Sequence, residues 1–141
     1  SKTNLSKRSW DMDFSATEPE KVLVLTHESE RRRVELDDEN AASLVFLFKA
    51  EFKVPFLYHF TFNPMPYSEE LAEDIETLHE AGYIGSSSPI VLRDKGHLWI
   101  KGNWDRLQPF ANTLSEAFDR LGRFDRALLF RHAYNVATAR I

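Results

Sequence analysis

Carboxylates are the most concentrated reactive groups in this sequence, and one segment carries them without a neighbouring cation. Residues 68–81 hold six carboxylates and no Lys or Arg: Glu69, Glu70, Glu73, Asp74, Glu76 and Glu80. On a helix, four of these acids would form one stripe opposite the apolar side chains, namely Glu69, Glu73, Glu76 and Glu80. The stripe predicts a surface that binds a basic partner. The alternatives are an ordinary solvated face and pairing within the chain with Arg120, Arg123, Arg126 and Arg131.

A second constellation is typical of metal-dependent phosphodiester chemistry. The triplet Glu51-Phe52-Lys53 places a carboxylate and a lysine two positions apart, with Asp37 and Asp38 upstream. In a metal-dependent nuclease, such carboxylates hold Mg²⁺ and the lysine helps to activate water. The triplet falls near the end of a predicted helix, which would disperse these groups. A metal-dependent nuclease is therefore the second alternative function.

Other reactive residue types do not form a recognisable site. The five histidines are scattered, and no two of them lie four positions apart on one helix with a carboxylate, as a zinc protease requires. The absence of cysteine excludes a disulfide framework and any cysteine-based zinc or redox site. We therefore predict no catalytic residue, no metal ligand and no cofactor, and expect a protein that is not an enzyme.

The basic residues support the first alternative, a DNA-associated winged-helix transcriptional regulator. Arg31-Arg32-Arg33 could touch phosphates, as could Arg93 and Lys95 at a predicted hairpin tip and the arginines near the C-terminus. Against this, the net charge is −4, whereas dedicated nucleic-acid binders usually carry a basic excess. In a winged helix-turn-helix, residues 68–81 would form the recognition helix, the helix that enters the DNA groove. Its carboxylates would repel the DNA backbone.

The elements that position these residues follow from local patterns, beginning with a polar tail. Residues 1–17 form this tail, and residues 18–141 form a single winged-helix-like domain. The tail holds a few aromatic or apolar side chains, Trp10, Met12 and Phe14. Residues 21–26 and 33–36 predict an N-terminal β-hairpin, because the first run is apolar and β-prone and the second alternates.

A buried helix and an aromatic strand are predicted next. Asp37 or Asp38 caps a helix that reaches Phe52 and ends before Pro55. Apolar residues recur along it at helical spacing and extend to most of its sides. The aromatic run 56–62 then predicts a strand, with a continuation of the helix from Phe52 as the alternative.

The second half of the domain begins with the best-marked helix, which spans residues 68–81. Ser68 is a helix-capping residue type, and Gly82 lies where a left-handed residue ends many helices. Residues 89–101 predict a β-hairpin with Asp94-Lys95-Gly96 at its turn.

Two helices are predicted to close the domain. The first begins at Asp105 or Gln108 and ends at Leu121, and the second covers residues 124–139. Helix, short strand and hairpin occur in the order of a winged helix-turn-helix. The predicted fold is therefore α+β, a winged-helix-like domain with an N-terminal β-hairpin and a C-terminal helix pair.

The segment around the acidic helix resembles a known family. Residues 63–71 read Asn-Pro-Met-Pro-Tyr-Ser-Glu-Glu-Leu, and residues 78–84 read Leu-His-Glu-Ala-Gly-Tyr-Ile. This stretch resembles the Panacea domain, the SocA-like antitoxin domain, and related YwgA-like bacterial proteins. Their Gly-Pro-Tyr/Phe-Ser element precedes an amphipathic helix with a Gly-Tyr/Leu-Ile end. The matching residues are Pro66, Tyr67, Ser68, Leu71, Gly82 and Ile84, whereas Met65 replaces the family's glycine.

The resemblance implies a winged-helix-related domain without chemistry of its own, whose relatives neutralise toxins or act as proteolytic adaptors. We therefore predict a non-enzymatic protein-interaction module, an antitoxin or adaptor of a toxin–antitoxin or phage-related system. Its expected partner is a toxin or another protein with a basic surface. No apolar run is long enough for a membrane span, and the predicted location is the cytoplasm. A homodimer through Trp10, Phe14 or the C-terminal helices is a further expectation.

Overall fold

Six helices and one short antiparallel sheet make up the part of the chain that the computed structural model describes, residues 16–85 and 88–139. The helices are α1 (Glu18–Arg31), α2 (Asp38–Phe52), α3 (Glu69–Glu80), α4 (Asp94–Gly102), α5 (Trp104–Leu121) and α6 (Arg126–Ala139). The sheet pairs β1 (Thr61–Phe62) with β2 (Pro66–Tyr67), so that Thr61 faces Tyr67 and Phe62 faces Pro66. This architecture confirms the α+β class in its broad sense, with helices dominating.

α2 is the central helix of the core. Its N-cap is Asp37, whose side chain accepts a hydrogen bond from the Asn40 amide at 2.9 Å, while the Asn40 side chain accepts one from the Asp37 amide at 2.7 Å. α5, α6 and β2 pack against α2. The fully buried side chains of the helix include Leu44, Val45, Leu47 and Phe48. Lys53 ends the helix in a left-handed conformation, so the helix predicted from Asp37 or Asp38 to Phe52 is confirmed.

α1 occupies the place of the predicted N-terminal β-hairpin, and that prediction is wrong. Thr17 caps the helix, because its hydroxyl accepts from the Glu20 amide and the Glu20 carboxylate accepts from the Thr17 amide. Residues 21–26 are all buried in the helix. A short apolar run does not distinguish a strand from a helix buried on most sides. Residues 33–36, predicted as the second strand, form an irregular connection to α2.

α4 replaces the second half of the hairpin predicted over residues 89–101, and this prediction is also wrong. Gly96, expected at the hairpin turn, lies within α4, where an added Cβ would be 2.4 Å from the carbonyl oxygen of Tyr83. The glycine therefore allows α4 to approach the backbone that follows α3. Ile84 and Leu92 form an isolated antiparallel bridge instead. No wing is present among the described residues, and the winged-helix architecture is not confirmed.

α5 and α6 confirm the two predicted C-terminal helices but not their pairing. The buried stripe of α5 consists of Leu107, Phe110, Ala111, Leu114, Ala117 and Phe118. Gly122 ends α5 with a φ of 77°. α5 packs mainly on α1, whereas α6 packs mainly on α2. The two helices are thus consecutive in the chain but find their principal partners elsewhere in the core.

The segment between α2 and α3 is mostly irregular. Residues 53–60 have no regular structure, and β1 covers only the end of the strand predicted over 56–62. The alternative of a continuing helix is wrong, because α2 ends at Phe52. Phe56 and Tyr58 are nevertheless buried, so the segment contributes aromatic rings to the core.

Most of the predicted polar tail lies outside the described residues. This applies to residues 1–15, which include Trp10, Met12 and Phe14. Ala16 and Thr17 are described and lead into α1. In the part of the chain that is described, no helix is both long enough and apolar enough to cross a membrane.

Candidate functional site

α3 is positioned by a capped start, a buried apolar side and a glycine at its end. The Ser68 hydroxyl accepts a hydrogen bond from the Leu71 amide at 3.2 Å. Leu71 and Leu78 are buried, and the helix packs against α1. Gly82 follows with a φ of 86°. The helix predicted over residues 68–81 is therefore confirmed, and its orientation is set by the apolar side.

The opposite side of α3 carries the predicted carboxylates. All four are exposed, and we call them the acidic stripe: Glu69, Glu73, Glu76 and Glu80. None of them makes an ion pair or a side-chain hydrogen bond with another described residue. The stripe is thus a run of negative charge facing solvent along the length of the helix.

The other two acids of α3, Glu70 and Asp74, bind residues of the irregular segment 53–60. The backbone N–H of His59 donates to Glu70 over 2.8 Å, and the ring Nδ1 of His59 lies 3.1 Å from the same carboxylate. The backbone hydrogen bond is the largest cause of a lowered pKa for Glu70. Asp74 accepts a 2.5 Å hydrogen bond from the Tyr58 hydroxyl. Burial, reinforced by this carboxylate, raises the pKa of Tyr58, so the hydroxyl keeps the proton that it donates.

The four arginines that could have neutralised the acidic stripe lie elsewhere in the structure. Two contact other side chains, and two line a cleft. Arg126 pairs with Asp37 and Glu39 near the start of α2. The guanidinium of Arg120 lies 5.1 Å from the centre of the Phe52 ring. Arg123 and Arg131 line a cleft beside α6. The alternative that the four acids of the stripe pair with these arginines is therefore wrong.

The six residues that match the Panacea-like motif lie at the two ends of α3, and five of them have a structural role there. Pro66 is buried in β2 and Ser68 caps the helix, while Leu71 anchors its first turn. Gly82 supplies the left-handed turn, and Ile84 is fully buried and bridges to Leu92. Tyr67 differs, because 54% of its surface is exposed beside the start of the helix.

The residues of the proposed nuclease site are dispersed. Asp37 and Asp38 lie at the start of α2 and Glu51 lies near its end, a separation of about 20 Å at 1.5 Å per residue. The Glu51 carboxylate is 2.6 Å from Nε2 of His132. Lys53 follows the helix in a left-handed conformation. Within residues 16–85 and 88–139, no three His, Asp or Glu side chains are grouped so that they could hold a metal ion.

Several of the basic residues considered for DNA binding already contact other groups of the chain. Arg31 and Arg32 both pair with Glu28, whose side chain is 3% exposed. Arg93 and Lys95 do not form a wing tip, since they lie at the start of α4, where Lys95 donates to the carbonyl oxygen of Ala81 at 2.6 Å.

Glu28, one of the acids that flank Arg31-Arg32-Arg33 in the sequence, is the centre of this cluster. Arg32 also reaches Asp119 at 2.9 Å and the Ser115 hydroxyl at 2.7 Å on α5. Burial by itself raises the pKa of Glu28, but the hydrogen bonds from Arg31 and Arg32 outweigh it and the net pKa is lowered. The available signal was the spacing of Glu28 and Arg32, four positions apart, which favours an ion pair only if the segment is helical.

No family model matches this chain, and neither a curated protein nor a solved structure matches it. The resemblance of residues 63–84 to the SocA-like antitoxin domain therefore stays a prediction. A functional proposal has to rest on the geometry of α3.

Proposed function

We propose that this protein is a non-enzymatic interaction module whose acidic stripe binds a basic surface of a partner protein. The observation that carries the proposal is the exposure of Glu69, Glu73, Glu76 and Glu80, none of which pairs with a cation among the described residues. An antitoxin or adaptor role in the cytoplasm is the form of this function that the sequence resemblance suggests.

The electrostatics of α3 support a role outside the fold. Like charges three or four positions apart destabilise an isolated helix by roughly 0.2–0.5 kcal/mol per pair. The helix dipole favours Glu69 at the start of α3 but not Glu80 at its end. No stabilising contact of the stripe with the described residues offsets this repulsion. Lysines or arginines of a partner would offset it, and complementary charge would also accelerate association.

Charge reversal tests the proposal. We expect the Glu73→Lys/Glu76→Lys variant to lose a protein partner that the unaltered chain captures from the organism that encodes it. The matched control is Asp105→Lys/Glu116→Lys, which changes the net charge equally at exposed acids of α5. The control should retain the partner. Capture and quantitative mass spectrometry would measure both, and equal capture by the two variants, or no partner above background, would contradict the proposal.

The two alternatives gain no support from the positions of their residues. For a DNA-associated regulator, α4 replaces the predicted wing and Arg31 and Arg32 already pair with Glu28, so its remaining basic residues are Arg33 and the C-terminal arginines. Unchanged mobility of duplex DNA at low salt and high protein concentration would argue against this regulator. A nuclease would need Glu51 and Asp37 at one metal ion. Nuclease activity that persisted in Glu51→Ala and Lys53→Ala would remove those residues from consideration.

A further inference from the structure

A second surface, formed around the start of α6, has the features of a binding groove. Two adjoining clefts of about 720 and 730 Å³ share Arg123, Phe124 and Leu128. One cleft extends along α6 to Glu51 at the end of α2, and the other extends to Arg33 after α1. We call the two clefts together the α6 groove.

The floor of the α6 groove is apolar. It is lined by Leu121, Phe124, Leu128, Leu129 and Val136. Leu128 leaves 49% of its surface exposed there. Exposed leucine in a concave surface favours a ligand that inserts apolar side chains.

Arginines outnumber acids in the α6 groove, by Arg32, Arg33, Arg123 and Arg131 to Glu51, Asp119 and Asp125. Arg33, Arg123 and Arg131 are exposed, and their side chains make no ion pair, hydrogen bond or ring contact with the described residues. Each acid that lines the groove is engaged: Glu51 with His132, Asp119 with Arg32, and Asp125 with the amide of Leu128. The groove therefore suits a segment that combines carboxylates with apolar side chains.

Two contacts with a second copy, through its acidic stripe or through its own α6 groove, match the α6 groove poorly. The acidic stripe would supply carboxylates, but the exposed residues beside it are Ala72 and Thr77, which offer little to an apolar floor. A symmetric contact of two α6 grooves would bring Arg123 and Arg131 of both copies together, and like charges oppose it.

One segment of this sequence has both properties. Residues 10–14 read Trp-Asp-Met-Asp-Phe, so large apolar side chains alternate with carboxylates. In an extended chain this alternation places the apolar side chains on one side and the carboxylates on the other. We propose that residues 10–14 bind the α6 groove of their own chain, with Asp11 and Asp13 pairing with its free arginines.

The distance that the chain must cover is compatible with this arrangement. Trp10 is six residues before Ala16, and an extended chain covers about 20 Å over that length. The Nζ of Lys21, in α1, donates to the carbonyl oxygen of Pro55 at 2.6 Å. Pro55 follows Glu51 by four residues, so the Glu51 end of the groove and the start of α1 lie at the same end of α2. Occupied in this way, the groove would be closed to other acidic segments.

Disulfide trapping in the full chain tests the proposal, because the sequence has no cysteine of its own. We expect Met12→Cys/Asn135→Cys to form an intramolecular disulfide about tenfold faster than Met12→Cys/Glu73→Cys, since binding raises the effective concentration of the two thiols. Asn135 lines the α6 groove, whereas Glu73 lies on the acidic stripe. Non-reducing electrophoresis and mass spectrometry would follow the reaction.

The arginines provide the second half of the test. Adding Arg123→Glu and Arg131→Glu to the Asn135 pair should reduce its rate to that of the Glu73 pair, with circular dichroism to check the fold. If that variant does not fold, salt at about 1 M should slow the Asn135 pair alone, since it shortens the screening length to about 3 Å. Equal rates for the two pairs would overturn the proposal. So would faster closure at Glu73, to which Lys7 and Arg8 could direct the segment, or a disulfide-linked dimer as the main product.

Discussion

At the residue scale, Glu28 joins α1 to the connection that follows it. Its buried carboxylate accepts from Arg31 at 2.6 Å and from Arg32 at 2.7 Å. Arg32 in turn reaches Ser115 and Asp119 of α5. One buried acid therefore organises cations that the linear sequence presents as a basic run. A buried carboxylate is tolerated because its charge is paired and hydrogen-bonded.

We expect Glu28→Gln to destabilise the fold by about 2 kcal/mol, because it removes charged hydrogen bonds and leaves Arg32 with less compensation. The matched change is Arg31→Gln, at a side chain that is 58% exposed, where an exposed ion pair is worth less than about 1 kcal/mol. Urea unfolding would measure the free energy of unfolding of both variants. A cost for Glu28→Gln no greater than that for Arg31→Gln would contradict this role.

At the element scale, α3 shows how a short helix is held on a domain surface. Only Leu71 and Leu78 are buried on it, and its stripe of acids is self-repelling. The cap at Ser68 and the contacts of Glu70 and Asp74 with the preceding segment therefore matter more than they would in a longer helix. Glu70 and Asp74 hold the element in place, whereas the four acids of the stripe make no such contact with the described residues.

We expect Ser68→Ala to lower the free energy of unfolding by about 1 kcal/mol, because the Leu71 amide loses its capping acceptor. Thr77→Ala is the control within the same helix, since Thr77 is exposed and alanine favours a helix interior. The control should be neutral or slightly stabilising in urea unfolding. Equal effects of the two changes would show that the cap does not hold α3.

At the scale of the whole molecule, buried titratable groups make the fold sensitive to acid. Burial is the largest cause of a lowered pKa for His27, whose ring lies 5.6 Å from that of Trp104. His27 therefore takes up a proton near pH 6.5 in the unfolded chain but only at a lower pH in the folded chain. Protonation favours the unfolded chain, so the free energy of unfolding decreases as the pH falls below about 6.5. The lowered pKa of Glu28 acts in the same direction. Its contribution to the free energy of unfolding is lost only as the pH falls below about 4.5, the ordinary pKa of a glutamate.

We therefore expect the free energy of unfolding to decline in two stages on acidification, first below about pH 6.5 and again below about pH 4.5. His27→Gln should remove the first stage and leave the second. Glu28→Gln should weaken the second and deepen the first, because the charge of Glu28 partly opposes the lowering of the His27 pKa. Urea unfolding at several pH values would follow both variants, and a first stage that persists without His27 would assign it to another group.

Local signals in the sequence determined the elements with clear boundaries. Ser68 and Gly82 delimit α3, Asp37 and the chain before Pro55 delimit α2, and the apolar stripe that ends at Gly122 marks α5. These signals act within one or two turns, because capping and helical periodicity involve near neighbours in the chain. The acidic composition of α3, and hence the candidate site, could be read in the same way.

Only the tertiary structure decided the remaining features, because each depends on a distant contact. The run 21–26 is helical since other helices bury it, and Gly96 belongs to a helix because the Tyr83 carbonyl leaves no room for a Cβ. Whether the C-terminal arginines pair with the acidic stripe depended on their positions in the fold, and Arg126 pairs with Asp37 and Glu39 instead. The sequence by itself determined which charges α3 carries, and the packing of distant elements determined that four of them face solvent and pair with none of the described cations.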